Sequence, residues 1–382
     1  MSRLIEMLTN VIFRGKGKPL QLLGKRTLEK SSLSREQTRE RIKLALQNRR
    51  VQGELPELPE RPRIFVAVKN TNWEQAALVD SFRGLADVVH YDWGDKYDQY
   101  SLDWHTRRKQ EFCLELVSKV VEEHRKGQID IFFSYLSGRW VFPETIRQIR
   151  KLGIITVNFD FDDSYKFWGD REATGLTGSA EIAPAFDICI SAQSERNIGK
   201  YIAVGANPLF LPSAGNPKVF GSREPLPDRK IAVSFIGQNY GQRGEMVKIL
   251  RSEGIDVLTR GSGWPEGPVS QEEMLDIYQN SLLTLGFSFI AGTNSVGLKG
   301  RDFEVPMTGA AYLTTYNAEL ARYFVPDKEI IFYKSPRELR DKVLYILSNP
   351  EEGIKIGLAG RERALRDHTW EKRWLKLWEV CR

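Results

Sequence analysis

From Arg63 onward the chain alternates short β-branched and aromatic runs with longer stretches of helical periodicity, the rhythm of βαβ units around a parallel sheet. The runs predict strands at Ile64–Val68, Val88–Tyr91, Ile129–Tyr135, Ile154–Phe159 and Ile188–Ser191, with helices over 73–84, 105–126, 143–151 and 192–204. Five prolines between Pro208 and Pro227 then interrupt the pattern, and a second series begins. It places strands at 230–236, 255–259, 282–287 and 310–315, and helices at 243–253, 270–280 and 302–308. Helical segments at 335–348, 351–366 and 370–380 close the chain. Upstream, Met1–Phe13 reads as an amphipathic helix and 34–50 as a second one capped by Ser34, before Pro56, Pro59 and Pro62 break the chain.

This pattern divides the chain into a basic helical extension and linker (1–62), an N-terminal Rossmann-like domain (63–208), an interdomain linker (209–229), a C-terminal Rossmann-like domain (230–369) and a terminal helix (370–382). The fold class expected is α/β, two doubly wound domains facing a cleft, and 382 residues suit two cores better than one.

Composition changes this picture in three places. The net charge of +6 is uneven: residues 1–50 hold 13 Lys and Arg against 4 Asp and Glu, leaving the remainder near neutral. That arm suits an anionic membrane surface, an acidic partner or a plain solvated helical extension, and with Phe13 as its one aromatic residue it lacks the stacking rings of a nucleic-acid site. No run approaches the roughly 20 apolar residues of a membrane span, and no signal-peptide pattern opens the chain. The expectation is therefore a cytoplasmic protein, peripheral at the inner face of the membrane. Three scattered cysteines and four scattered histidines match no metal-ligand spacing, so a structural metal is not expected.

Ligands of doubly wound sheets bind beyond the carboxyl ends of the strands. Four such places carry candidate chemistry. After the strand ending at Ile236, Gly237 and Gly241 precede a helix starting at Arg243, so backbone amides, the helix terminus and Arg243 can meet a phosphate. After the next strand, Gly263 and Trp264 either border a flat base or form a turn with a packed ring. At a loop-to-helix junction, Lys299 and Arg301 can neutralise a diphosphate, and Glu304 a turn later can accept both hydroxyls of a ribose. At the end of the strand Ile154–Phe159, Asp160, Asp162 and Asp163 can supply a general base, a divalent-metal site, or only a helix cap and solvated turn.

The stretches Lys299-Gly-Arg-Asp-Phe-Glu-Val-Pro306, Thr308-Gly309, Leu313-Thr-Thr, Ala359-Gly-Arg-Glu-Arg and His368-Thr-Trp together resemble the C-terminal domain of GT-B glycosyltransferases of the spore-maturation type, akin to glycosyltransferase family 4. A weaker likeness runs through Asn72-Trp73, Asp162-Asp-Ser-Tyr-Lys-Phe167, Tyr201-x-x-x-Gly205 and Phe235-Ile-Gly237. The resemblance implies a hexosyltransferase-like enzyme taking a nucleotide-sugar such as a UDP-sugar, with no cofactor and no divalent metal. Glu304 matches the ribose-binding glutamate, Lys299 and Arg301 lie beside the donor diphosphate, and Gly237 and Arg243 belong to the phosphate-facing loop.

Asn72, Trp73 and Asp160 fall on the acceptor side, and Asp162 or Asp163 is the base if the reaction inverts. The chain departs from family 4 at Val296, where a glutamate is usual, and at Gln238, where the loop usually has arginine. Two rival functions stay open: a metal-dependent transferase built on Asp160, Asp162 and Asp163, and a noncatalytic nucleotide-sugar-binding protein. His368 is expected to be structural, locking the last helices.

Overall fold

The computed structural model describes residues 33–71, 73–290 and 295–382. The helix expected over Met1–Phe13 and the acceptor-side Asn72 lie outside the described residues.

The first domain is a six-stranded sheet of parallel strands: β1 (Arg63–Ala67), β2 (Asp87–Tyr91), β3 (Ile131–Ser134), β4 (Ile155–Asp160), β7 (Ile188–Ser191) and β8 (Pro208–Phe210), in the order β2-β1-β3-β4-β7-β8. Between β4 and β7 a small antiparallel hairpin, β5 (Arg171–Glu172) with β6 (Gly175–Leu176), stands apart. β1, β3, β4 and β7 are buried on both faces, which is why their sequences read as unbroken apolar runs rather than alternating ones. The second sheet holds β9 (Ile231–Ile236), β10 (Val257–Arg260), β11 (Ser281–Gly286), β12 (Ala311–Thr315) and β13 (Ile331–Tyr333), all parallel, in the order β10-β9-β11-β12-β13.

In both sheets the strand order reverses beside the first strand, opening a crevice at the carboxyl ends of β1 and β3 and again at those of β9 and β11. Each crevice is where the chain's candidate chemistry falls.

Three features depart from the sequence reading. Residues 208–210, counted mostly with the interdomain linker, are the edge strand β8: paired to β7 in register Cys189↔Pro208, they use the apolar Leu209-Phe210 pair that the neighbouring prolines disguise. Ile331–Tyr333 form β13, a run too short for periodicity to reveal. Helix α1 (Arg35–Val51), capped by Ser34 and Gln37 in a reciprocal capping box, does not extend from the body. Its Ile42 and Leu46 are fully buried in the first domain's core, and Arg49 pairs with buried Asp187 at 2.7 Å.

The terminal helix α9 (Trp370–Cys381) returns from the second domain to that same core. Trp374 stacks on Phe82 with ring centroids 4.3 Å apart, and its indole N–H donates to Ser81 Oγ at 2.7 Å. Between β13 and α9 lie helices α7 (Pro336–Ser348) and α8 (Pro350–Asp367); among the earlier helices are α2 (Lys109–Lys126), α3 (Pro143–Arg150), α4 (Arg243–Ser252), α5 (Gln271–Asn280) and α6 (Arg301–Met307). No helix among the described residues is long and apolar enough to cross a membrane.

Candidate active site

At the crevice of the second sheet, β9 delivers Phe235 and then Gly237, whose φ of 154° and lack of a side chain are both needed. A Cβ there would lie 2.4 Å from Arg301 Nη2, so the guanidinium rests directly against the glycine backbone. Arg243, the first residue of α4, approaches from the other side. Its guanidinium sits 3.9 Å from the Tyr240 ring centre and donates to Gln238 O and Tyr240 Oη, both at 2.8 Å. The Phe235 ring lies between the two cations, 5.6 Å from Arg243 and 5.2 Å from Arg301.

Lys299 completes the group. Its turn into α6 is held by Asp302, which accepts the Lys299 N–H at 2.8 Å and the Tyr312 hydroxyl at 2.7 Å. Burial pushes Asp302 up to about 6.

None of Arg243, Lys299 and Arg301 forms an ion pair among the described residues, and two of their N–H groups, Arg243 Nε and Arg301 Nη1, are buried without a hydrogen-bond partner. The strain falls on Arg243 and Lys299, whereas Arg301, against its burial, is held above its ordinary value by Tyr278, Tyr312, Asp302 and Glu304. Burial, followed by the Arg301 charge, lowers Arg243 to about 10. Burial, with Arg243 and Arg301 adding to it, lowers Lys299 to about 8. Glu304 sits over the first turn of α6, its Oε1 at 3.0 Å from where a Gly300 Cβ would stand, and burial pushes its carboxyl up to about 7. This is a partly desolvated cradle of three cations with two carboxylates, Asp302 and Glu304, at its edge.

Gly263 and Trp264 have a supporting place. The Trp264 ring is buried in the second core, 6.0 Å edge-on from Phe235, with Nε1–H donating to Gly237 O at 2.8 Å. Of the two readings of this turn, the packed ring is the one observed: Trp264 fixes the loop behind Gly237 and offers no face to a base. Gly263 abuts Asn239, whose side chain donates to Gly263 O at 3.2 Å, clamping the same loop.

At the crevice of the first sheet opens a cavity of about 670 Å³ lined by, among others, Lys69, Tyr135, Trp140, Asp160, Asp162 and Lys166. The three aspartates diverge. Asp163 is fully buried: Asn197 donates to its Oδ1 at 2.6 Å, its Oδ2 has no partner, and burial with the nearby Asp160 charge holds it well above the usual carboxylate range. It faces the core, which corrects its placement as a cleft base. Asp160, pushed up to about 6 by burial, accepts from Ser179 Oγ and from the Asp162 N–H at 2.8 Å.

Asp162 is half-exposed, pairs with Lys166 at 3.2 Å, and its charge reaches Lys299 across the cleft. Trp73 packs on Phe161 and Tyr135 at 5.7 and 6.1 Å beside the cavity and does not line it. Among the described residues no group of three His, Cys, Asp or Glu side chains is arranged to hold a metal ion.

Sequence reasoning passed over Tyr240, Asp302 and Tyr312, which position the cations, and the aromatic cavity wall of Trp93, Tyr100, Trp140 and Tyr165. Asp302 was legible as a side-chain cap three residues after Lys299. The wall residues come from separate loops, and no local pattern joins them.

Residues 243–379 match a family described as glycosyl transferase-like. No curated protein matches the chain in sequence. Among solved structures, the chain is similar to Alr3699/HepE of Anabaena in complex with UDP and glucose (TM-score 0.58, 10% identity, covering 84% of this chain and 99% of that one). It is similar to a sucrose-phosphate synthase of Thermosynechococcus elongatus (0.57, 11%, 83% and 98%). It is also similar to a putative UDP-N-acetylglucosamine 2-epimerase of Listeria monocytogenes (0.52, 11%, 83% and 95%). The class so defined is the GT-B fold: two Rossmann-like domains facing a cleft, as in GT-B glycosyltransferase structures. Within it, the second domain carries the glycosyl transferase-like sequence signature.

Proposed function

We propose that this chain is a metal-independent glycosyltransferase that moves a sugar from a nucleotide-diphosphate sugar to an acceptor held by the first domain. One observation carries the reading: Arg243, Lys299 and Arg301 converge beside Gly237 without an ion pair, and two of their buried N–H groups are left unsatisfied. Unpaired buried charge is costly, and a diphosphate would satisfy both groups and relieve the mutual repulsion. The bound UDP of the Anabaena structure, on the same fold, supports a uridine nucleotide as the first donor to test.

As the anomeric bond breaks, negative charge grows on the diphosphate, and the preorganised cations stabilise it more than they stabilise the ground state. Glu304, once ionised, accepts the ribose hydroxyls. Asp162 stands on the opposite wall within electrostatic reach of Lys299, the place for a base that takes the acceptor hydroxyl's proton in an inverting transfer; in a retaining transfer it would orient the acceptor. The basic surplus of residues 1–50 holds the enzyme against anionic lipid on the cytoplasmic side of the membrane.

The test is a thermal-shift screen of nucleotide-sugars followed by turnover assays with and without EDTA. The reading expects a nucleotide-sugar to raise Tm in the wild type and not in Arg301→Ala or Glu304→Ala, and turnover to survive EDTA. A nucleotide-sugar shift unchanged in both variants would remove the donor site. Binding without turnover across a broad acceptor panel would favour a noncatalytic binding protein, the reading to which Val296 in place of the usual glutamate lends support.

A further inference from the structure

A second concentration of positive charge lies outside the cradle, where α1 and α9 pack together at the junction of the two domains. Arg35 and Arg39 are one turn apart on α1, and Arg373 and Lys376 one turn apart on α9, so each pair shares a helix face. All four border one cleft of about 40 Å³, together with Phe210 of β8 and Tyr323 of the second domain. Its lining contains no carboxylate.

Glu195 lies beside it and is already committed: it takes Arg35 in a two-point pair at 2.6 and 2.9 Å and Arg322 at 3.0 Å. Arg373 is 2% exposed, yet its N–H groups go to the carbonyls of Pro212, Asp367 and Ser213 and to His368, none of them an ion-pair partner. Neither Arg39 nor Lys376 has an ion-pair partner among the described residues. Burial and then the charges of Arg373, Arg39 and Arg35 lower Lys376, against an opposing pull from Glu379.

We infer that this cleft is a binding site for a single phosphate-class oxyanion, free or as a lipid headgroup. Three cations with no ion-pair partner among the described residues, Arg39, Arg373 and Lys376, converge on a space larger than the roughly 10–15 Å³ a single water requires. Guanidinium forks match the paired oxygens of a phosphate, and a multiply charged anion would compensate what Arg373 lacks. Because Arg35 also touches Tyr323 Oη at 3.4 Å, an occupant would tie α1, α9 and the second domain together. The inference does not depend on the donor reading.

The experiment uses the full chain, with inorganic phosphate as probe and sodium chloride at matched ionic strength as control. Tm should rise with the logarithm of phosphate concentration in the wild type and in Arg301→Ala, and stay flat in the Arg39→Gln/Lys376→Gln double variant. Both substituted positions are at the surface, so the double variant should fold, which near-wild-type Tm without phosphate checks. Loss of the shift in Arg301→Ala instead would assign phosphate to the donor cradle and overturn the inference, as would an unchanged shift in the double variant or none in the wild type.

Vesicles of phosphatidylcholine with and without phosphatidylglycerol separate the sources. Weaker capture of the double variant than of the wild type by phosphatidylglycerol vesicles identifies a headgroup. Equal capture, alongside the lost phosphate shift, identifies free phosphate.

Discussion

The two sheets share a topological device and fill it with opposite chemistry. At the crevice of the second sheet, Arg243, Lys299 and Arg301 gather without an ion pair among the described residues and leave two N–H groups unsatisfied. At the crevice of the first, the cations are already answered: Lys166 by Asp162, Arg139 by Glu172 at 2.8 Å, Lys69 by Asp95 at 3.4 Å. Cations without an ion pair suit an anionic ligand, whereas a ring-walled cavity of about 670 Å³ whose cations are already paired offers an anion little. On the proposed reading that difference, rather than the fold, distinguishes the donor side from the acceptor side, since the fold is similar to that of a putative epimerase as well.

The sharpest way to break the comparison is at the aspartates. Asp162→Asn should lower kcat by about 10²–10⁴ if Asp162 is a general base, with Tm unchanged. Asp163→Ala should do the reverse, costing about 1–3 kcal/mol of stability by removing one of the two acceptors of the Asn197 amide while sparing kcat. Denaturant melts and initial rates on the two variants settle it; if Asp163→Ala loses turnover and keeps its stability, the assignment of the two is wrong.

On the other wall, Arg301→Ala should reduce kcat/KM by about 10²–10³, the usual result of removing one preorganised donor from a developing anion. Gly237→Ala probes the same contact through the backbone. The added methyl must displace the Arg301 guanidinium at a strained φ, so nucleotide affinity measured by calorimetry should fall by about 1–3 kcal/mol. Retained affinity would mean that Arg301 does not need that position.

A smaller effect is expected from pH. Glu304 titrates at about 7 and must be ionised to accept the ribose, while Lys299, at about 8, must stay protonated to meet the diphosphate. Nucleotide affinity should therefore rise through pH 7 and decline above pH 8. The stability of the free protein follows the opposite logic. The raised Glu304 favours the folded state at low pH, and that contribution is lost as pH rises from 4.5 to about 7. The lowered Lys299 penalises folding until it deprotonates, so stability recovers from about 8 toward 10.5. Glu304→Gln should flatten the acid limb of the affinity profile and Lys299→Met the alkaline limb. A profile unchanged by both would show that neither group faces the ligand.

Much of this was legible in the residues alone, for physical reasons. Strands buried on both faces must be apolar runs, so Phe65, Phe132, Val157 and Val233 announce the sheets. The glycine after β9 and the Lys299–Glu304 spacing are local, because one loop and one helical turn bring those groups together. What only the tertiary structure decided were properties that require distant chain to meet: that Asp163 is buried against Asn197 while Asp162 stays half-exposed at the cavity, and that Trp264 is a prop and not a platform. The same holds for Arg35 and Arg373, 338 residues apart, which border one cleft. A side chain's type is written in sequence, but its burial and its partners are set by whatever segments pack against it, and those determine whether a charge is satisfied or left waiting for a ligand.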